Sequence, residues 1–177
     1  AETLHCINPD CQVKKVKSFA LFTSRDALNI DGLSEATLEK LIGIGAVHEP
    51  ADLFCLENHR EAIVSLEGFG EKSFQNLCQA AKKASETTLS RLLYGLGIAG
   101  IGPANARMIC RAFDNDLEQI LKADREELAA VDGIGPIIAE AFAAFFESEK
   151  NRRMLSHVLE HITLLQEAES GDMSLAG

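Results

Sequence analysis

The 177-residue chain lacks most of what would place it in a membrane, in a β-sheet or in an oxidising compartment. Apolar residues make up 46% of it, yet no run approaches the roughly 18 consecutive apolar residues of a spanning helix. The start has no charged-then-apolar leader layout, so a cytoplasmic protein is expected. Sustained apolar–polar alternation is missing, and so is an Asn-Gly or Asp-Gly turn between β-branched runs. Asp132-Gly133 is flanked on both sides by helical periodicity instead. Five cysteines do not form a disulfide framework. Cys55, Cys78 and Cys110 stand singly in apolar helical patterns, as in "FQNLCQAAKKA" and "ARMICRAF", where buried free thiols are expected.

Positive charge is also scarce. The net charge of −10 argues at first against a nucleic-acid partner. Its distribution weakens that objection, because residues 1–111 carry 12 Lys/Arg and 13 Asp/Glu while residues 112–177 carry 5 and 14. The acidity belongs to the C-terminal third. Lys14, Lys15 and Lys17 form a local basic spot, ordinarily a solvated face but also able to touch phosphate.

What the chain does have is a repeat. "IDGLSEATLEKLI", "LEGFGEKSFQNLC", "IAGIGPANARMIC" and "VDGIGPIIAEAFA" align without gaps. Their first glycines, Gly32, Gly68, Gly100 and Gly133, are 36, 32 and 33 residues apart. Each copy reads apolar–x–Gly–apolar–Gly and then a run with apolar residues three and four apart, with Ser34 replacing the second glycine in the first copy. Short amphipathic runs precede the glycines: "SRDALNI", "HREAIVSL", "TLSRLLYGLG" and "REELAAV". Each unit therefore reads helix, glycine turn, helix. The first glycine suits the left-handed position that ends a helix. The second leaves the backbone bare for a close approach. Pro103 and Pro136 follow, where a helix tolerates a missing N–H.

The free N–H groups of a helix start, with the positive end of its dipole, form an anion site. Preceding glycines let a phosphate reach the main chain. An acidic protein can hold DNA in this way, since the contacts use backbone amides more than side-chain charge. One G-x-G is ordinarily only a turn, but four in one register point to phosphate clasps, with Lys72 adding a point charge. The pattern resembles the helix-hairpin-helix motif of DNA-binding proteins, in which two motifs pack as a pseudo-twofold unit. The expected fold is all-α, with four tandem motifs in two such units. Backbone clasps read no bases, so binding without sequence preference is expected.

The N-terminal "LHCINPDC" places Cys6 and Cys11 four residues apart, half of the shell a structural zinc site needs. Followed by "FALFTSRDALNIDGLSE", "EPADLF", "LEGFGEKS", "TTLSRLLYGLGI" and "DGIGP", it resembles bacterial NAD-dependent DNA ligase along almost the whole chain. The resemblance implies the second half of a four-cysteine zinc finger over 1–21, a helix-hairpin-helix DNA-binding domain over 22–165, and a linker toward a BRCT domain over 166–177. It implies zinc at Cys6 and Cys11 in the intact protein, with NAD and magnesium bound in other parts of the parent enzyme. The family's nucleophilic lysine lies in Lys-x-Asp-Gly, which this chain does not contain, so the fragment itself should be non-catalytic. The implied partner is nicked double-stranded DNA gripped by a monomer, with no membrane. Carried over by motif, the clasp residues are Gly68, Gly70, Lys72 and Ser73; Gly100, Gly102 and Asn105; Gly133 and Gly135; and Gly32 with Ser34, where serine departs from the usual glycine.

Three other readings stand beside it. Glycosylases of the helix-hairpin-helix type place a lysine where Lys72 stands, but they need an aspartate further on, where this chain has Ser90. A non-catalytic repair or junction-binding protein with tandem motifs is the second alternative; the cysteine pair and "TSRDALNIDGL" favour the ligase. A helical domain that binds only proteins is the third, and failure to bind any duplex would favour it.

Overall fold

The apolar–x–Gly–apolar signature folds as a tight turn whose two apolar ends point inward. In the computed structural model, which describes residues 9–166, Phe69 N–H donates to Leu66 O at 2.9 Å, Ile101 to Ile98 at 3.0 Å and Ile134 to Val131 at 3.0 Å. The glycine between them sits third in the turn at positive φ: +85° for Gly68, +83° for Gly100 and +86° for Gly133, with Gly32 at +89°. A type II turn demands that conformation, which only glycine adopts without strain. The turn ends are anchored in the core, with Ile98, Ile101 and Ile134 all buried. The expected positive φ is thus present, but not as a helix-ending residue. The preceding helices stop four or five residues earlier, at Val64, Gly95 and Ala129.

The elements follow in order. Helix α1 (Pro9–Phe22) leads to α2 (Glu35–Gly43); two 3₁₀ turns (Pro50–Phe54, Leu56–His59) lead to α3 (Arg60–Val64) and α4 (Glu71–Ala84). Strand β1 (Glu86–Thr88) precedes α5 (Leu89–Gly95), α6 (Pro103–Ala112), α7 (Leu117–Lys122), α8 (Arg125–Ala129), α9 (Gly135–Glu147), α10 (Glu149–Leu159) and β2 (Thr163–Leu165). Helix pairs α1/α2, α3/α4, α5/α6 and α8/α9 each pack across one glycine turn. The apolar spacing of three and four places Leu38 and Leu41 of α2, Phe74 and Leu77 of α4, and Ala139, Phe142 and Phe146 of α9 in one continuous core. Helix α10 packs on the 3₁₀ turn at Pro50–Phe54, which ties the C-terminal end back to the first half. The all-α expectation holds.

Several details differ from the sequence reading. The run Ser24–Ile30 is a series of turns rather than a helix. Asn29 takes φ +55°, and Arg91 Nη1 donates to Arg25 O and Ala27 O at 2.9 Å each, holding those carbonyls out of a helical ladder. The boundary expected between residues 21 and 22 falls inside α1, whose Val16, Phe19 and Phe22 are buried in the main core. Strands β1 and β2 pair in parallel, with Glu86 opposite Thr163 and Thr88 opposite Leu165, a feature that no alternation in the sequence marks. Of the three lone cysteines, Cys110 is buried, whereas Cys55 and Cys78 are partly exposed. Cys6 and the segment 167–177 lie outside the described residues, as does the side chain of Cys11.

Candidate nucleic-acid interface

The second hairpin has the most open helix start. Gly70 is the N-cap of α4, with extended φ −160° and ψ −171° and no capping side chain. The first N–H to bond back is that of Phe74, to Gly70 O at 3.0 Å, so the N–H groups of Glu71, Lys72 and Ser73 have no partner within the helix. A β-carbon placed on Gly70 would meet nothing within 4 Å. Lys72 and Ser73 are exposed beside it. The one carboxylate of the first turn, Glu71, is paired with Arg60, and Lys40 Nζ donates to Glu67 O at 3.1 Å just ahead of Gly68. Open amides, bare backbone and surplus positive charge coincide here.

The third hairpin repeats the geometry with neutral side chains. Gly102 caps α6 in extended conformation (φ −98°, ψ −175°) and faces open space. Pro103 lacks an N–H, which leaves those of Ala104 and Asn105 ahead of the first helical bond, Ala106 to Gly102 O at 3.0 Å. The Asn105 side chain is committed inside the hairpin, its Nδ2 donating to Gly100 O at 2.9 Å. It braces the turn.

The first and fourth hairpins depart from this geometry in different ways. Ser34 takes the N-cap place of Gly70 and Gly102 but turns its own hydroxyl inward, accepting from Thr37 N–H at 3.1 Å. One amide of that helix start is thereby satisfied from within. In the fourth hairpin Gly135 is not extended but at φ +69°, and α9 begins there behind Ile134 in a helical conformation. Its fourth-position residue, where the second hairpin has Lys72, is Ile137, 84% exposed. Nearby, Glu140 is not a free negative charge. Arg125 Nη2 donates to it at 3.2 Å and Arg125 Nη1 donates to Glu147 at 2.9 Å. Hydrogen bonding from Arg125, opposed by desolvation and aided by the guanidinium charge, holds the Glu140 carboxyl below the usual carboxylate range.

The hairpins meet in pairs, and both pairs use the same positions. Eight residues after the first glycine, Lys40 approaches Gly68 and Met108 approaches Gly133. Five residues after the partner's glycine, Ser73 lines one shallow cleft of about 340 Å³ with Gly32, and Ile138 packs on Gly100. Four turns thus form two reciprocal units. The structure brings Gly32, Gly68 and Ser73 together, and it brings Gly100 and Gly133 into adjacent hairpins. Lys40 and Arg60 are contributors that motif reading missed. Their only sequence signal is basic character near the glycine turns.

Metal ligation gains nothing from the described residues, among which no group of three His, Cys, Asp or Glu side chains could hold an ion. Cys55 Sγ lies 3.6 Å from His161 Nε2, but burial, then Asp52, pushes the thiol up rather than activating it. Among the described residues no helix is long and apolar enough to cross a membrane.

Residues 24–83 match the family described as SAM-like helix-hairpin-helix tandem, and residues 91–155 match the family described as helix-hairpin-helix motif. These two segments coincide with the two reciprocal units. Over 177 residues the chain is 45% identical to a protein of Lachnoclostridium phytofermentans, 99% of this chain and 27% of that protein. It is 48% identical over 163 residues to one of Ruminiclostridium cellulolyticum, 92% of this chain and 25% of that protein. It is 40% identical over 157 residues to one of Bacillus subtilis, 89% of this chain and 23% of that protein. All three relatives carry the name DNA ligase, and the chain spans about a quarter of their length.

Proposed function

We propose that this chain, a helix-hairpin-helix segment of a DNA ligase by its homology, grips duplex DNA for a ligase that seals nicks in replication and repair. The second hairpin carries the reading. Its three unpartnered amides, extended Gly70 and exposed Lys72 make a seat for a phosphate oxygen on a chain of net negative charge. The third hairpin offers two such amides. Contacts of this kind touch only the backbone of the duplex, so the grip is indifferent to sequence. The parent enzyme would use NAD and magnesium in other domains, as the resemblance to NAD-dependent ligases implies, and would work as a cytoplasmic monomer on nicked duplex.

Chemistry does not reside in this chain, which has no Lys-x-Asp-Gly nucleophile. Its work is orientation: holding the nick still raises the effective concentration of the two ends at a catalytic domain. Zinc belongs to the same proposal. Cys6 and Cys11 would supply two thiolates of a tetrahedral shell, the other two coming from elsewhere in the longer protein. The domain limits proposed are 1–21, 22–165 and 166–177, with the qualification that α1 bridges the first two.

A titration of labelled nicked duplex with the chain tests the proposal. Binding should be equal for unrelated sequences, with log K falling against log salt at about −0.9 per phosphate contact. Affinity confined to one sequence, or independent of salt, would overturn it.

A further inference from the structure

Outside the hairpins, the side chains gather positive charge in one place. Lys14 and Lys15 of α1 face Lys150 and Arg153 of α10 across a groove of about 630 Å³. These are four of the 17 Lys/Arg in a chain with 27 Asp/Glu, so the cluster runs against the overall charge. Among the described residues only one carboxylate lines the groove. That is Glu49, and both its oxygens face His157 Nδ1, at 2.9 and 3.1 Å. Glu149, one turn from Arg153, takes up part of that charge at 3.0 Å. Lys14, Lys15 and Lys150 form no ion pair with any side chain between residues 13 and 166. The same helix α1 extends the charge toward the first hairpin: Lys17 reaches Glu35, the opening residue of α2, at 3.8 Å.

We infer that this groove is a second phosphate-binding surface for the duplex, continuing the path of the hairpins rather than serving a separate ligand. The inference rests on the DNA-gripping proposal and deepens it. A net-negative chain repels a polyanion at long range. Lysines on both walls of a groove, without an ion pair among the described side chains, offset that repulsion locally and release condensed counterions when phosphates enter. Lysine suits the task, since a flexible point charge follows a backbone whose sequence changes. An acidic peptide could meet the same charges, but α1 joins this groove to a hairpin, and the hairpins are built for phosphate.

The triple variant Lys14→Gln, Lys15→Gln, Lys150→Gln, titrated with nicked duplex over a range of salt, provides the test. These exposed or half-exposed side chains carry no packing load, so the melting curve should match the parent chain. Affinity should fall at low salt, and the slope of log K on log salt should flatten by about 2 to 3. Unchanged affinity and slope, in a parent chain that does bind duplex, would overturn the groove while leaving the hairpin clasps standing. A parent chain that binds no duplex would overturn both. Loss of binding to polyglutamate, with DNA affinity intact, would identify a peptide site and equally refute the inference.

Discussion

Ile138 fills the space that a β-carbon on Gly100 would need: its Cγ1 lies 3.0 Å from that position. The reverse contact comes from Met108, whose Sδ lies 2.8 Å from the corresponding point on Gly133. Gly32 has the same φ with nothing within 4 Å. Replacing each by alanine therefore separates strain from crowding. All three changes force an L-residue to φ between +83° and +89°, at a cost of about 1–2 kcal/mol. Met108 is flexible and can yield, whereas β-branched Ile138 is stiff. Thermal melts should rank the destabilisation Gly32→Ala, then Gly133→Ala, then Gly100→Ala. Equal losses at all three sites would show that the hairpins do not pack reciprocally.

A second prediction concerns pH. The Glu140 carboxyl is held low in the folded chain by Arg125. A depressed folded value means stability present above the unfolded carboxyl range, near pH 4.3, and lost as pH falls through the folded value. In Arg125→Met the Glu140 resonance should titrate at higher pH than in the parent, as followed by NMR. The stability difference between the two chains should vanish in strong acid. Identical titration curves would mean that the ion pair does not persist in solution. Both groups are exposed, so the effect on stability at neutral pH is small.

A third prediction follows from the missing nucleophile. Incubated with NAD labelled in its adenylate, the chain should remain unlabelled and should join no nicks. A stable AMP adduct would contradict the assignment of this segment to gripping alone.

The glycine register was legible because a type II turn fixes both the glycine and the apolar residues one and two places from it, and Leu66/Phe69, Ile98/Ile101 and Val131/Ile134 record that in sequence. What could not be read is how each helix start is finished. Ser34 spends its hydroxyl on Thr37, and Asn105 spends its amide on Gly100; either residue, seen in sequence, is equally a ligand for phosphate. The turn at Ser24–Ile30 hides behind helical spacing because what breaks it is Arg91, more than sixty residues away. Three-residue strands escape periodicity too, and Thr88 serves both β1 and the N-cap of α5. The acidity of the C-terminal third is also not spread evenly after folding, since Arg125 bridges Glu140 and Glu147 and offsets one of their two charges.

The last prediction separates clasping from turning. Gly70 is extended at φ −160° and faces open space, so valine can adopt its backbone. Gly135 sits at φ +69°, where a β-branched residue is strongly disfavoured. Gly70→Val should therefore leave the melting transition within about 1 kcal/mol, the scale of an altered N-cap. Its methyls would stand where a phosphate oxygen approaches the amides of residues 71–73. Losing one charged hydrogen bond, worth about 1.5–3 kcal/mol, weakens DNA binding roughly 10- to 150-fold. Gly135→Val should do the opposite, lowering the melting temperature while changing the affinity of the folded fraction little, because Pro136 lacks an N–H and Ile137 brings no charge where the second hairpin has Lys72. Melting and duplex titration of both variants decide the matter. Intact affinity in Gly70→Val would remove the clasp from the second hairpin, and a large loss of affinity in folded Gly135→Val would put one in the fourth.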